Sequence, residues 1–347
     1  MHWAALACAA LCLYVLWRAV RHYMWLREAN VLTIAEKTFV CPELGSERKP
    51  FPSVMDEPSL YISLIVPSYK EEARLPRMLE ETLVYLQRRE RRDKDFTYEI
   101  VVVDDGSPDG TSTCALKFVH QYSSNVVRVL TLRQNRGKGY AVKQGMLHAR
   151  GKFLLMVDAD GATRIADLEN LEARIQQINQ AWRAQGSHEL GLVNGDRAVA
   201  IGSRAPPQAL YAQDEAVVQR DASRSLVGQL FNLLVRLLMP SEGVDVAGGA
   251  HSRRPLQDTQ CGFKLFSRGA AQLLFNNQHL DRWCFDVELM YLARQLQLPV
   301  AEVPVTWSEV EGSKLNVIRD GIKMAIDMAI ARGLYITGIW RIERFTL

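Results

Sequence analysis

The chain has 347 residues, 48% of them hydrophobic and 23% charged, with a formal net charge of +3. This is ordinary globular composition, enough for one large α/β core with an appendage, and the charge is too mild to argue for a nucleic-acid partner. The six cysteines, Cys8, Cys12, Cys41, Cys114, Cys261 and Cys284, show neither CxxC pairs nor Cys/His metal spacing, which excludes a recognisable zinc site or disulfide framework.

From Trp3 to Trp17 the sequence carries no charge, and apolar character continues past Arg18 through Val20, Met24, Trp25 and Leu26. Residues 1–27 therefore read as an N-terminal signal-anchor transmembrane helix with a basic flank. A cleaved signal peptide fits less well, because no basic region precedes the run and no small-residue cleavage site follows it. The uncharged stretch falls short of the roughly 20 residues a spanning helix needs, so Arg18 and Arg21 must snorkel toward the headgroups. Arg18, Arg21 and Arg27 all follow the segment and no Lys or Arg precedes it, which places the bulk of the chain in the cytosol.

Residues 28–60, with Pro42, Pro50, Pro52 and Pro58, read as a linker. Beyond it, strands are expected at Ile62–Val66, Tyr98–Val103, Val126–Leu132, Phe153–Val157 and Ala198–Ser203. Helices are expected between them, at Leu75–Arg91, Thr111–Tyr122, Tyr140–Ala149 and Ile165–Gln180. Such alternation predicts a mostly parallel sheet covered on both faces, with ligands beyond the carboxyl ends of its strands. The catalytic domain is set at 61–314. Residues 315–347 form a basic amphipathic stretch with two open readings, a helix on a membrane surface or one packed on the core.

The polar residues after each strand carry the chemistry. Pro67-Ser68-Tyr69-Lys70-Glu71 follows the first and Asp104-Asp105-Gly106-Ser107 the second; turn and cap chemistry alone would account for either. After Phe153–Val157 comes Asp158-Ala159-Asp160-Gly161, two carboxylates that can share a Mg²⁺ or Mn²⁺ whose other oxygens come from a diphosphate. Gly202-Ser203-Arg204 follows a later strand. Arg136-Gly137-Lys138-Gly139 lacks the upstream Gly and following Ser/Thr of a P-loop, which argues against a nucleotide triphosphatase and for a basic, Gly-rich helix start near the ligand.

This order of motifs resembles the family-2 glycosyltransferases of GT-A fold, a Rossmann-like, mostly parallel nucleotide-diphospho-sugar transferase architecture. Longer strings, Asn135–Gly139, Asp158–Thr163, Asp258–Phe266, Arg282–Leu289 and Glu311–Lys314, look like those of dolichyl-phosphate β-glucosyltransferases, with the likeness running from about Ser63 to Arg341. The resemblance implies an inverting enzyme of the endoplasmic reticulum membrane, its catalytic part facing the cytosol. It would move glucose from UDP-glucose to dolichyl phosphate, making the lipid-linked glucose donor for the N-glycosylation precursor. It also implies that Pro67, Tyr69, Glu71, Val102 and Asp104 hold the nucleoside, and that Asp158, Ala159 and Asp160 form the metal and diphosphate site. Arg204 and Lys314 would meet the donor phosphates, and Asp258, Asp160 and Lys314 are the catalytic candidates; Arg136 and Lys138, read from the Gly-rich run itself, are donor-binding candidates with an ordinary loop as the competing reading. Asp286 and Glu288 stay open between acceptor-side and structural roles. Two positions depart from related mannosyltransferases: Ala162 stands where some carry Gln, and Ser308 where they carry Arg. A GDP-mannose-dependent dolichyl-phosphate mannosyltransferase is the nearest rival, and a catalytically silent nucleotide-sugar-binding homologue is another.

Overall fold

The computed structural model describes residues 10, 13, 14, 17, 18, 21, 32–45, 47–184, 197–204, 233–244, 253–310 and 317–344. Most of the expected anchor helix therefore lies outside the described residues. Among those described, no helix is long and apolar enough to cross a membrane.

The strands are β1 (Thr38–Cys41), β2 (Glu47–Pro50), β3 (Leu60–Ser68), β4 (Tyr98–Asp104), β5 (Val127–Thr131), β6 (Gly151–Val157), β7 (Val199–Ser203), β8 (Glu242–Val244), β9 (Arg253–Pro255), β10 (Phe263–Ser267) and β11 (Val300–Pro304). The helices are α1 (Leu75–Arg92), α2 (Thr111–Tyr122), α3 (Lys138–Leu147), α4 (Leu168–Ala184), α5 (Arg268–Asn277), α6 (Phe285–Gln295) and α7 (Val317–Ile336). Seven strands form the main sheet in the order β11-β7-β10-β6-β3-β4-β5. All neighbours run parallel except β10, which is antiparallel to both β6 and β7.

Strand side chains alternate between two buried clusters, as a sheet covered on both faces requires. Ile65, Val101, Val103, Leu154 and Met156 join residues of α3, α5 and α6 on one face. Leu64, Val66, Val102, Leu155 and Leu265 join α1, α2 and α4 on the other. The helix α1 shows why: Leu75, Met78, Leu79, Thr82, Leu83 and Leu86 recur at helical spacing on its buried side. Its first turn holds Pro76 and its last turn carries Arg89, Arg91 and Arg92, both suited to the helix ends.

The expected linker is more ordered than its prolines suggest. Strands β1 and β2 pair antiparallel, and Phe39 and Phe51 flank the Arg128 guanidinium at 5.1 and 5.2 Å from their ring centroids. Arg128, from β5, is itself buried against Glu99 of β4, so the hairpin closes over an ion pair that water would otherwise reach. Proline-rich spacing hid this because the strands are only four residues long and β2 is exposed throughout.

At the other end, α7 packs one face on the domain. Met324, Met328 and Ala331 are buried against the first cluster, and the Tyr335 hydroxyl donates to Glu288 at 2.6 Å. One face of this segment is thus core, while Ile322, Ile336 and Ile339 remain exposed.

Burial pushes the Glu99 carboxyl up, but Arg128, Arg150 and Ser63 more than offset this and hold its pKa below the usual carboxylate value. Replacing Glu99 with Ala strands buried Arg128. Chemical denaturation should report a loss of about 3–5 kcal/mol. A loss under about 1 kcal/mol, the range of exposed pairs, would show that the pair is not a buried constraint.

Candidate active site

The parallel strands bring their carboxyl ends to one edge, where Ser68 of β3 sits opposite Asp104 of β4. The chain passes from β3 outward to β4 and β5, then returns to place β6 on the other side of β3. This reversal opens the crevice in which such sheets bind ligands. The antiparallel β10 delivers its start to the same edge: Phe263 pairs with Val157, which leaves residues 258–262 beside Asp158.

Asp158 is the centre of the arrangement. Its Oδ1 lies 2.6 Å from Lys138 Nζ, and its backbone N–H donates to the Gly262 carbonyl at 3.2 Å. A Cβ on Gly262 would fall 2.0 Å from Asp158 Oδ2, so only glycine leaves that carboxylate its place. Burial opposes the charge of Lys138, but Asp158, Asp286 and Asp160 together raise its pKa above the lysine norm. The Asp160 carboxyl is pushed up by burial and then by Asp158, with Arg74 and Lys138 acting the other way. Two hard carboxylates held close suit a divalent cation. Among the described residues no group of three or more Asp, Glu, His or Cys gathers into a ligand set, so diphosphate and water oxygens would have to complete the shell. That donor chemistry fits Mg²⁺ or Mn²⁺ and not a thiolate- or imidazole-bound metal.

Asp258 and Arg204, assigned separately from sequence, form one unit. Arg204 Nε and Nη2 donate to the Asp258 carboxylate at 2.7 and 2.8 Å, and the Arg204 backbone N–H adds a third bond at 3.0 Å. Burial pushes Asp258 up, but Arg204 more than compensates and holds it below its ordinary value. Glu302 of β11 accepts the Asp258 backbone N–H at 2.7 Å and fixes the loop. Asp258 is therefore a stable anion and a poor proton acceptor.

The nucleoside-side residues are placed unevenly. Tyr69, with Lys70 Nζ 5.4 Å from its ring centroid, stands at the end of β3. Glu71 is bound at both oxygens by Arg74, and its backbone N–H donates to Thr111. Asp104 accepts the Ser107 N–H at 3.1 Å and the Ser112 hydroxyl. Pro67 is buried within β3, and Ala159 packs in the second cluster.

Two expectations need correction. Val102 is completely buried within that same apolar cluster, so its side chain does not reach the crevice. Arg136 turns inward, against the Tyr140 ring at 4.7 Å and toward Glu36 at 3.7 Å, because the chain at Gly137 (φ 111°) directs the next residue, Lys138, to the site instead. Lys314 lies outside the described residues.

Asp286 and Glu288 are both accounted for by structure. Asp286 takes the fully buried Lys264 ammonium at 2.6 Å. Glu288 accepts the His279 and Leu280 backbone N–H groups and the Tyr335 hydroxyl. Sequence reading passed over Lys264, Glu302 and Asp105. A charge inside the apolar strands FKLFS and VAEVP was the available signal for Lys264 and Glu302, since buried charges need dedicated partners. Asp105 accepts the Arg136 and Gly137 N–H groups at 2.7 and 2.8 Å, yet burial still lifts its pKa to about 6. The two departures from the mannosyl pattern meet in space: the Ser308 N–H donates to the Ala162 carbonyl at 2.9 Å, beside an antiparallel bridge of Thr163 to Trp307.

Comparison with known proteins places this geometry. Residues 63–192 match the family described as Glycosyl transferase family 2. The dolichyl-phosphate β-glucosyltransferase of Homo sapiens is 43% identical over 86% of this chain and 83% of its own length. That of Drosophila melanogaster is 42% identical, covering 88% and 85%, and that of Saccharomyces cerevisiae 38%, covering 82% and 78%. Glucosyl-3-phosphoglycerate synthase from Mycobacterium tuberculosis superposes with a TM-score of 0.48 at 16% identity over 81% of each chain.

Two outcomes follow from the geometry. Gly262→Ala should displace Asp158 and lower kcat by about 100-fold, the scale of an ångström-sized misplacement, with the melting temperature nearly unchanged. Wild-type turnover in that variant would show that the position of Asp158 is not critical. Because the pKa of Asp258 is lowered, it is ionised across neutral pH, and protonation is expected only as pH falls below the ordinary aspartate value. The pH–rate profile should therefore have no limb between pH 5 and 8, roughly the physiological titration range, that disappears in Asp258→Asn. A limb lost in that variant would make Asp258 a titrating base.

Proposed function

Because the chain belongs to the dolichyl-phosphate β-glucosyltransferases, and is thus a glycosyltransferase that moves glucose onto dolichyl phosphate, we propose that its donor is UDP-glucose, bound across the carboxyl edge of the sheet. The observation that carries this reading is the Asp158–Asp160 pair at the end of β6, with Lys138 in contact and the Arg204–Asp258 unit beside it. The uridine would lie at the ends of β3 and β4, near Tyr69, Glu71 and Asp104. Asp158 and Asp160 would hold a divalent cation, which when bound supplies charge neutralisation on the departing diphosphate.

In this reading a phosphate oxygen of the acceptor attacks C1 of the α-linked glucose from the side opposite UDP. The C1–O bond to the diphosphate breaks as the new bond forms, giving a β-linked product. The attacking phosphate is already anionic, so no strong base is required, which agrees with an Asp258 locked to Arg204. Asp258 positions Arg204, and Arg204 and Lys138 place fixed positive charge where the leaving group gains negative charge. Lys314, from the string Glu311–Lys314, is assigned to the same donor phosphates. Residues 1–27 are proposed to anchor the chain in the endoplasmic reticulum membrane, the catalytic part 61–314 facing the cytosol and 28–60 joining the two. The basic segment 315–347 would rest its exposed isoleucines on the bilayer surface.

Membranes carrying the full chain should transfer labelled sugar to dolichyl phosphate from UDP-glucose and not from GDP-mannose, and EDTA should abolish the transfer. Asp158→Ala should reduce it by at least about 1,000-fold, a loss typical of removing a main electrostatic element of a transition state. Mannosyl transfer would overturn the donor, and EDTA-resistant transfer would overturn the metal.

A further inference from the structure

A pocket of about 450 Å³ lies away from the Asp158–Asp160 pair itself. It is bounded by Tyr14, Trp17, Arg18 and Arg21 of the N-terminal segment and by Asp281 and Arg282, which precede α6. Its Asp281–Arg282 side packs against the start of α3. The Asp281 carbonyl accepts the Tyr140 N–H at 2.9 Å, and a Cβ on Gly137 would meet that same carbonyl at 2.5 Å and Arg282 Cγ at 2.8 Å. The residue after Gly137 is Lys138, whose ammonium rests on Asp158. One turn of backbone therefore separates this pocket from the group that meets the donor phosphates.

The charges around the pocket are not self-cancelling. Arg18 is taken up by an ion pair with Asp327 of α7. Arg21 lies 5.1 Å from the centroid of the exposed Trp17 ring, and Arg282 is exposed. Opposite them, Asp281 is 4% exposed and its Oδ2 has no hydrogen-bond partner. Burial raises its pKa to about 7, with Lys143, Arg282 and Arg136 opposing the rise and Glu288 adding to it. A partly protonated acid with an unused oxygen can donate to an anion that a fully ionised one would repel. Two guanidiniums with such a donor suit a phosphate monoester, whose oxygens take bidentate arginine contacts.

The wall next to this polar end is aromatic, formed by Trp17 and Tyr14. The Arg18–Asp327 pair joins it to α7, in the segment whose Ile322, Ile336 and Ile339 are 60%, 69% and 57% exposed. A cationic end for an anionic head beside an aromatic wall matches a ligand with a phosphate at one end and a hydrocarbon chain at the other.

We propose that this pocket is the acceptor subsite, holding the phosphate of a polyprenyl phosphate between Arg21 and Arg282 with its first isoprene units against Trp17 and Tyr14. This assignment rests on the acceptor named under the proposed function. It gives the N-terminal segment a part in substrate binding as well as anchorage. Arg282 is a binding residue here, and Asp281 is its partner on the phosphate.

The test uses the full chain reconstituted in phosphatidylcholine vesicles, with acceptor and donor varied separately. Arg282→Ala and Arg21→Ala should each raise the KM for dolichyl phosphate by about tenfold, the worth of one charge-assisted contact. The KM for UDP-glucose should stay within about twofold, inside the scatter expected for a site not touched. Arg282→Lys should recover part of the loss, and Trp17→Ala should raise the acceptor KM for a short prenyl phosphate as it does for dolichyl phosphate, since both carry the isoprene units that rest on Trp17. UDP binding retained in each variant reports that the fold is intact. Unchanged acceptor KM in both arginine variants would overturn the subsite. Equal competition by phosphatidylserine would also overturn it, in favour of a general anionic-membrane contact. If the wild-type chain transfers glucose to no prenyl phosphate, the proposed function fails; if it is active and the variants match it, only the subsite fails.

Discussion

Two carboxylates, Asp158 and Asp160, stand two residues apart at the end of a strand buried on both faces, and much of the site is arranged to make that tolerable. Like charges that close raise each other's cost of ionisation unless cations are supplied. Here the cations come from separate elements: Lys138 from the start of α3, Arg204 from the end of β7 and Arg74 from the turn before α1. Each is in turn held by an anion. Asp258 grips Arg204, Glu71 grips Arg74, and Asp286, itself bound to buried Lys264, acts on Lys138. A diphosphate and its cation entering such a lattice meet oriented charges and little reorganisation, which is the condition for strong electrostatic catalysis.

The reversed strand β10 has a specific place in this scheme. Running against β6 and β7, it brings residues 258–262 to the carboxyl edge, so that Asp258 reaches Arg204 and Gly262 makes room for Asp158. A parallel strand in the same slot would bring its other end. Glu302, fixing the Asp258 backbone from β11, extends this support one strand further.

Much of this was legible in the sequence because strand periods and strand-end motifs are local signals. The helix Thr111–Tyr122 coincides with its expected bounds, and most of the other expected elements begin and end within a few residues of those observed. What escaped notice depends on long-range partners. The hairpin of β1 and β2 is stabilised by Arg128, far along the chain, and its short strands look like loop. Arg136 and Lys138 are equivalent as basic residues in a Gly-rich run, and only the backbone at Gly137 sends one inward and the other to Asp158. Val102 is an ordinary sheet-core valine whose alternation faces its side chain into the second buried cluster. The pairing of Asp258 with Arg204 joins residues 54 positions apart that no spacing rule connects.

The most direct test of the central claim is to locate the cation. In crystals of the full chain grown with Mn²⁺ and UDP-glucose, anomalous scattering should place one Mn²⁺ between Asp158 and Asp160, in contact with the diphosphate, with the uracil ring at the ends of β3 and β4. A manganese peak elsewhere, or a nucleotide bound away from the carboxyl edge of the sheet, would contradict the account.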